Sequence, residues 1–367
     1  MSKISPPSST QNSPHFPKVS GSGSKLPLHQ NPSTLSTLTS YADSKTLWSY
    51  LRVPLVWLRS LYSGLAQWIF GPPSLTLPPL PKKSNYLSRD LSDRSVLANI
   101  FKETKTALDQ GFYTLLNKTK ISLDLDPMKN NTKVWTHEAL KEKVSLEGRQ
   151  TYDTAFEVLN IDTVLAGLKL LSEGLNPLLL NMANRYTEGG GVLSGCLAQE
   201  ELCRKTGLYV SISLSDNPHL ASQMGAKYLI PEFGCIYSPA VPIVRERKED
   251  HFEWIEKPQQ LNFVSSAAYD TRHHGGDILP KGAAFEEGMR AKIKSQILCA
   301  LAHGHDSLVL GAYGCGAFGQ DPEKVSKWYS EELAPYQKYF RKITFAVLVA
   351  RPSDQPNFEN FYKTFIK

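Results

Sequence analysis

Between residues 155 and 350, short apolar runs alternate with helical patterns, and this alternation limits the fold more than any other feature of the chain. Residues 155–160, 178–182, 261–268, 307–311 and 343–350 read as strands, with a short one at 235–237. Residues 163–173, 281–304 and 322–333 read as helices, and 199–204 starts another. Strands separated by helices build a mostly parallel sheet covered on both faces, and such sheets take ligands beyond the carboxyl ends of their strands. No internal repeat is apparent.

Upstream, the pattern is weaker. Residues 91–111 carry Val96, Ile100, Phe101, Ala107 and Leu108 at helical spacing, ending near Gly111. Residues 119–125 alternate like a strand. Residues 126–150 read as a polar loop with a helix at 137–143. Residues 1–45 are rich in Ser, Pro, Gly and Thr and cannot bury enough apolar surface to order, so a disordered arm is expected. Residues 46–70 then hold three Trp, two Tyr and many Leu around only Arg52 and Arg59. Pro54 and the two arginines make spanning a bilayer costly, which leaves an interfacial helix, a helix docked on the folded domain, or one that binds a partner protein. A proline-rich linker follows to residue 83. The expected organisation is therefore an arm (1–45), an aromatic helix with linker (46–83) and one domain at 84–367, with a helical extension at 84–150 and a core at 151–367.

Composition narrows the function. A formal charge of +6 with dispersed basic residues favours a small anionic ligand over dedicated duplex binding. Five cysteines without CxxC spacing argue against a disulfide framework and a zinc site, and place the chain in a reducing, cytoplasmic compartment. Neither His273-His274 nor His303-Gly-His305 has a cysteine or an acid at metal-ligand spacing, so no metal or other cofactor is expected.

Two stretches carry chemistry. After the apolar run 178–180, the chain passes Asn181 and Asn184 to Gly189, Gly190 and Gly191, which remove every Cβ from one bend and let a ligand lie against bare N–H groups. Gln199, Glu200 and Glu201 then place two adjacent carboxylates where a helix begins. A positioned carboxylic acid can protonate the leaving group when a bond at a ribose is cleaved through an oxocarbenium-like transition state. Two solvated glutamates in a first helical turn, favoured by the dipole, are the plain alternative. In the second stretch a buried strand runs into Gly311, Gly314, Gly316 and Gly319, with Asp321 placed to cap a helix and Pro322 at its first position. Glycines between a strand and a helix N-terminus suit a diphosphate, or simply a tight loop.

The triple glycine, the short spacer and Gln-Glu-Glu resemble the signature of the poly(ADP-ribose) glycohydrolases, closest to the microbial-type branch. Asn160-Ile-Asp-Thr163 before the signature, Leu208-Tyr209 after it, residues 236–242 and the glycine run 311–322 extend the likeness over roughly 90–367. The resemblance implies a three-layer α/β/α macrodomain with a mixed, mostly parallel sheet and an N-terminal helical extension, which holds ADP-ribose in a cleft. It implies an ADP-ribosyl glycohydrolase acting without a metal on poly(ADP-ribose) or mono-ADP-ribosylated protein. Glu201 would be the catalytic acid and Glu200 the neighbour that orients the ribose. Asn184 would bind hydroxyls of the ribose being cleaved, with Gln199 beside them and Gly189, Gly190 and Gly191 facing its reacting side. Gly314, Cys315, Gly316 and Ala317 would wrap the diphosphate, Phe318 would pack on the distal ribose, and Asp162 would accept from adenine unless it only caps a helix. The fold also serves readers that bind ADP-ribose without turnover. A membrane surface or protein partner at 46–70 would make the chain a targeted or translocated effector, with nucleic acid entering only as an ADP-ribosylated substrate and the chain expected as a monomer. Glu188 departs from the pattern, which has proline there, and adds a charge that either repels neighbouring phosphates or points to solvent. Residues 245–254 and 269–280 are expected to cover the cleft and set the acceptor.

Overall fold

In the sequence from Arg94, an Asp93 carboxylate accepts from the Ser95 N–H (2.7 Å) and opens helix α1, Arg94–Gln110, which Gly111 closes at φ 71°. The computed structural model describes residues 90–196, 200–272 and 279–366. The arm at 1–45, the aromatic helix and linker at 46–83, Gln199 and His273-His274 lie outside the described residues.

Strands β1 (Phe112–Thr114) and β2 (Lys120–Ser122) pair as a small antiparallel ribbon. Residues 126–150, expected as a loop with one helix, hold more: α2 (Asp126–Asn131), β3 (Lys133–Trp135) and the expected helix α3 (His137–Lys143). The alternation then runs β4 (Ala155–Leu159), α4 (Thr163–Ser172), β5 (Pro177–Met182), α5 (Glu200–Lys205), α6 (Leu208–Ile212), α7 (Pro218–Met224), β6 (Cys235–Arg245) and β7 (Trp254–Ser266). It closes with α8 (Ala283–Ala302), β8 (Ser307–Leu310), α9 (Pro322–Leu333), β9 (Lys342–Ala346) and α10 (Gln355–Phe365). The described residues fall within one compact unit.

Among the described residues, seven strands make one sheet in the order β3-β6-β7-β5-β8-β9-β4. The four pairings from β7 through to β4 are parallel, and the two that involve β6 are antiparallel. The mixed, mostly parallel α/β sheet is the one expected. Strand periodicity divides the core in two: Leu178 and Leu180 face α8 and α9 through Ile293, Ile297, Val325 and Tyr329. Leu179, between them, faces α4 and α6 through Val164, Leu170 and Leu208. The sheet is therefore sandwiched between two helical layers. Because β7, β5, β8, β9 and β4 run in one direction, the loops leaving their carboxyl ends share one edge of the sheet, and the expected site residues among those described lie on those loops or the helices they open.

β6 continues to Arg245, well past the expected end at Tyr237. Its register shifts between Ser238 and Val241, and Ala240 takes a positive φ of 50°; this bulge passes Pro239 and Pro242 through the pairing. β7 begins at Trp254 and not at Leu261, because its polar first half pairs with the extended β6 as a long hairpin.

Candidate active site

The loop after β5 is built by its own polar groups. The Asn184 Oδ1 accepts from the N–H groups of Tyr186 (2.9 Å) and Thr187 (3.0 Å), an Asx turn that bends the chain toward the glycines. Gly189 and Gly190 both lie near φ 60°, where only glycine is unstrained. Gly189 also packs on an aromatic face, since a Cβ there would come within 2.7 Å of the Tyr209 ring. Gly191 has an ordinary φ of −89° and leads into a short 3-10 turn, Val192–Ser194. Val192 is buried with Phe101 of α1 and Cys203 of α5, with Tyr209 packed alongside. A single small cluster thus joins the glycine loop, the helix after it and α1.

α5 begins at Glu200, and its second residue is Glu201. The Glu201 Oε1 is 3.1 Å from the ammonium of Lys205, one turn on, and the same ammonium is 3.0 Å from the Asp162 Oδ1. The Lys205 side chain is 2% exposed and Glu201 23%. Burial alone would push the Lys205 ammonium down; the Asp162 and Glu201 carboxylates outweigh it and hold its pKa above the usual lysine value. Asp162 also caps α4, its Oδ1 accepting from Val164 (2.9 Å) and Leu165 (3.2 Å) N–H groups. Asp162 is thus both the cap of α4 and a partner of Lys205 through the same oxygen.

The second loop leaves β8, the strand beside β5. A Cβ on Gly311 would approach the Met182 methyl to 2.5 Å, so the two loops start in contact. Gly314 lies at φ 77° against Ala268 and Gln320, and the Gln320 N–H donates to the Gly314 carbonyl (3.0 Å). Thr271 donates from its N–H and its hydroxyl to the Phe318 carbonyl, at 3.0 and 2.8 Å, and fastens the loop to the exit of β7. Cys315 and Phe318 are half-buried against the core, while Gly316 and Ala317 are exposed. Burial pushes the Cys315 thiol well above its ordinary range, which leaves it an unreactive thiol. Asp321 caps α9 with Pro322 at the first position, as the sequence indicates.

The Glu188 Oε1 accepts from the Leu214 N–H at 3.0 Å and ties the glycine loop to the segment after α6. Residues 245–254 form the end of the β6–β7 hairpin, which is seated on α1 by Phe252, buried with Leu97 and Ile100. Arg245 is buried and donates to the Thr104 hydroxyl (2.7 Å), the Phe252 carbonyl (2.6 Å) and Glu103 (3.0 Å), with its guanidinium 3.5 Å from the Trp254 ring centre. Lys205 and Arg245 are framework residues that the motifs do not single out. The Glu-to-Lys spacing of four in α5 is the one local signal for Lys205. Among the described residues no group of three His, Cys, Asp or Glu is placed to hold a metal ion.

With this geometry, residues 101–246 match the family model for the microbial-type PARG catalytic domain. A poly(ADP-ribose) glycohydrolase variant from Thermomonospora curvata is 30% identical, at a TM-score of 0.61, over 74% of this chain and all of that one. The chain belongs to the microbial-type PARG family. It is an enzyme of glycohydrolase type. The Thermomonospora curvata glycohydrolase itself gives a TM-score of 0.63 at 28% identity, with the same coverage. The enzyme from Deinococcus radiodurans in complex with ADP-ribose gives 0.56 at 30%, over 66% of this chain and 97% of that one. Among curated proteins none matches the chain.

Proposed function

We propose that this PARG-family enzyme hydrolyses the ribosidic bond of poly(ADP-ribose) by general-acid catalysis from Glu201, and that mono-ADP-ribosylated protein is its second substrate class. The observation that carries this reading is the placement of Glu201 in the first turn of the helix that follows the glycine loop, at the shared carboxyl edge of the parallel strands. Solved relatives of about 30% identity bind ADP-ribose or are named for this activity, which supports the substrate class.

In the reaction, Glu201 gives a proton to the departing oxygen while the bond to the ribose anomeric carbon breaks. Gly189, Gly190 and Gly191, which carry no Cβ, leave room for the reacting face of the ribose. Water adds to the ribosyl cation, and its proton returns to the Glu201 carboxylate. Glu200 orients the ribose with Gln199, and the Asn184 amide hydrogen-bonds its hydroxyls. Gly314, Cys315, Gly316 and Ala317 wrap the diphosphate, with Phe318 against the distal ribose. The Asp162 Oδ1 serves α4 and Lys205, and Oδ2 is the oxygen that would accept from adenine.

The test is release of ADP-ribose from purified poly(ADP-ribose) and from proteins carrying single ADP-ribose on serine, arginine or glutamate, with Glu201→Gln beside the wild type. Turnover of polymer that falls at least about 100-fold in Glu201→Gln is expected. Wild type that binds ADP-ribose but releases none from any linkage overturns the proposal.

A further inference from the structure

A lysine ammonium almost wholly withdrawn from water is costly unless it is paired, and Lys205 is paired twice, by carboxylates from two different helices. Its two partners have different standing. Asp162 is fixed by its cap on α4, whose Val164, Ala166 and Leu170 are buried against the sheet. Glu201 stands in the first turn of α5, a six-residue helix too short to hold its own N-terminus rigid. We infer that Lys205 is a positioning residue of the hydrolysis: anchored on Asp162 at the head of α4, its ammonium fixes the carboxylate of Glu201 toward the glycine loop. This deepens the reading of Glu201 as the acid and rests on it.

The rest of α5 fits that role. Arg204 donates from Nε to the Leu97 carbonyl (3.1 Å) and from a terminal nitrogen to the Cys196 carbonyl, which docks the helix between α1 and the glycine loop. The Thr206 hydroxyl donates to the Leu202 carbonyl (2.8 Å), and the Gly207 N–H to the Pro242 carbonyl (2.9 Å), which closes the helix on β6. The C-terminal half of α5 is therefore held by its own contacts. Glu201, at the opposite end, reaches a fixed element through Lys205.

The other charges around this ammonium lie on the β6–β7 hairpin. Burial, then Asp250, pushes the Glu246 carboxyl up, while Arg247 and Lys205 oppose that rise. Arg247 pairs with Asp250 at 2.9 Å and lies within electrostatic reach of Asp162. Among these groups Lys205 is the cation in contact with Glu201, so its replacement by a neutral side chain changes both the orientation of the acid and its charge environment.

The experiment compares wild type, Lys205→Met, Lys205→Arg and Asp162→Asn in full-length protein on poly(ADP-ribose), with kcat, KM and the pH profile of kcat recorded for each. Lys205→Met should lose roughly 10- to 100-fold in kcat with KM changed less than about threefold, since misplacing one catalytic group acts on the chemical step. Lys205→Arg should recover most of kcat. Asp162→Asn keeps an oxygen for the cap and should fall in the same direction by about tenfold; it carries the test where Lys205→Met does not fold. Kcat and profile unchanged in Lys205→Met, or in Asp162→Asn where only that variant folds, overturn the inference while the hydrolysis reading stands. So does a rise in KM with kcat intact, which would put Lys205 in ligand binding. Wild type without turnover on any substrate removes the hydrolysis reading itself.

Discussion

Replacing Gly195 by alanine should break the join between α1 and the glycine loop. Gly195 lies at φ 71°, and a Cβ built on it would meet the backbone of Arg94, at 2.6 Å from its carbonyl carbon and 2.8 Å from its Cα. Two costs follow. The left-handed conformation costs a non-glycine residue about 1–2 kcal/mol, and forcing a backbone out of a packed position adds about 1–3 kcal/mol. Gly174 separates them, since it has φ 74° and nothing within 4 Å of its Cβ position. Gly174→Ala should therefore cost only about 1–2 kcal/mol, and Gly195→Ala about 2–5 kcal/mol in all. At about 2–4 °C per kcal/mol for a domain of this size, the second variant should melt several degrees below the first. Urea denaturation of both variants, followed by tryptophan fluorescence, measures the difference. Equal losses would mean that Arg94 does not close over Gly195, and the docking of α1 on the loop would be refuted.

Two further outcomes are expected. Glu188→Ala removes the carboxylate that accepts from the Leu214 N–H; it should cost about 1–2 kcal/mol in urea unfolding, with Glu188→Gln milder because the amide oxygen can still accept. Stability should also fall in mild acid. Burial first, and then neighbouring His305 with Lys133 and Lys143, lowers His303 to about 4. Burial lowers His305 to about 4 against the opposing Asn176 carbonyl and Asp306. Both folded-state values lie below the ordinary 6.5, so the stability that these neutral rings contribute is complete above pH 6.5 and is lost as pH falls toward 4. Between pH 6 and 5 the loss should be about 2 kcal/mol. His303→Gln keeps an acceptor for the Trp135 indole N–H (3.0 Å) and should flatten that slope by about half.

The elements with local signals were legible in the sequence. Asp321-Pro322 fixes the start of α9, the helical spacing of 137–143 gives α3, and the apolar run 178–180 gives the central strand. What escaped depends on partners far along the chain. Lys133–Trp135 is a strand because β6 lies beside it, and nothing in that short polar-flanked segment requires it. Prolines hid the second half of β6, since only a bulge, which tertiary pairing supports, lets a strand pass them. The glycine loop and Glu201 were readable as a candidate site because their residue types are unusual together. Glu188 was not, because its role is set by an N–H 26 positions away. Asp162 announced its cap through Thr163, but its pairing with Lys205 crosses 43 positions and two elements.

The helix α1 has a consequence for how this domain can be divided. Two arginines from other parts of the chain, Arg204 and Arg245, turn their buried guanidinium groups to it, one to the Leu97 carbonyl and one to Thr104 and Glu103. A fragment that starts after Gly111 would leave both cations in an apolar wall with part of their hydrogen bonding gone, which is among the costlier faults a fold can carry. Phe252 would lose its seat on Leu97 and Ile100 at the same time. The smallest piece of this chain able to stand alone must therefore begin ahead of Asp93, and shortening it further requires apolar replacements at 204, 245 and 252 together.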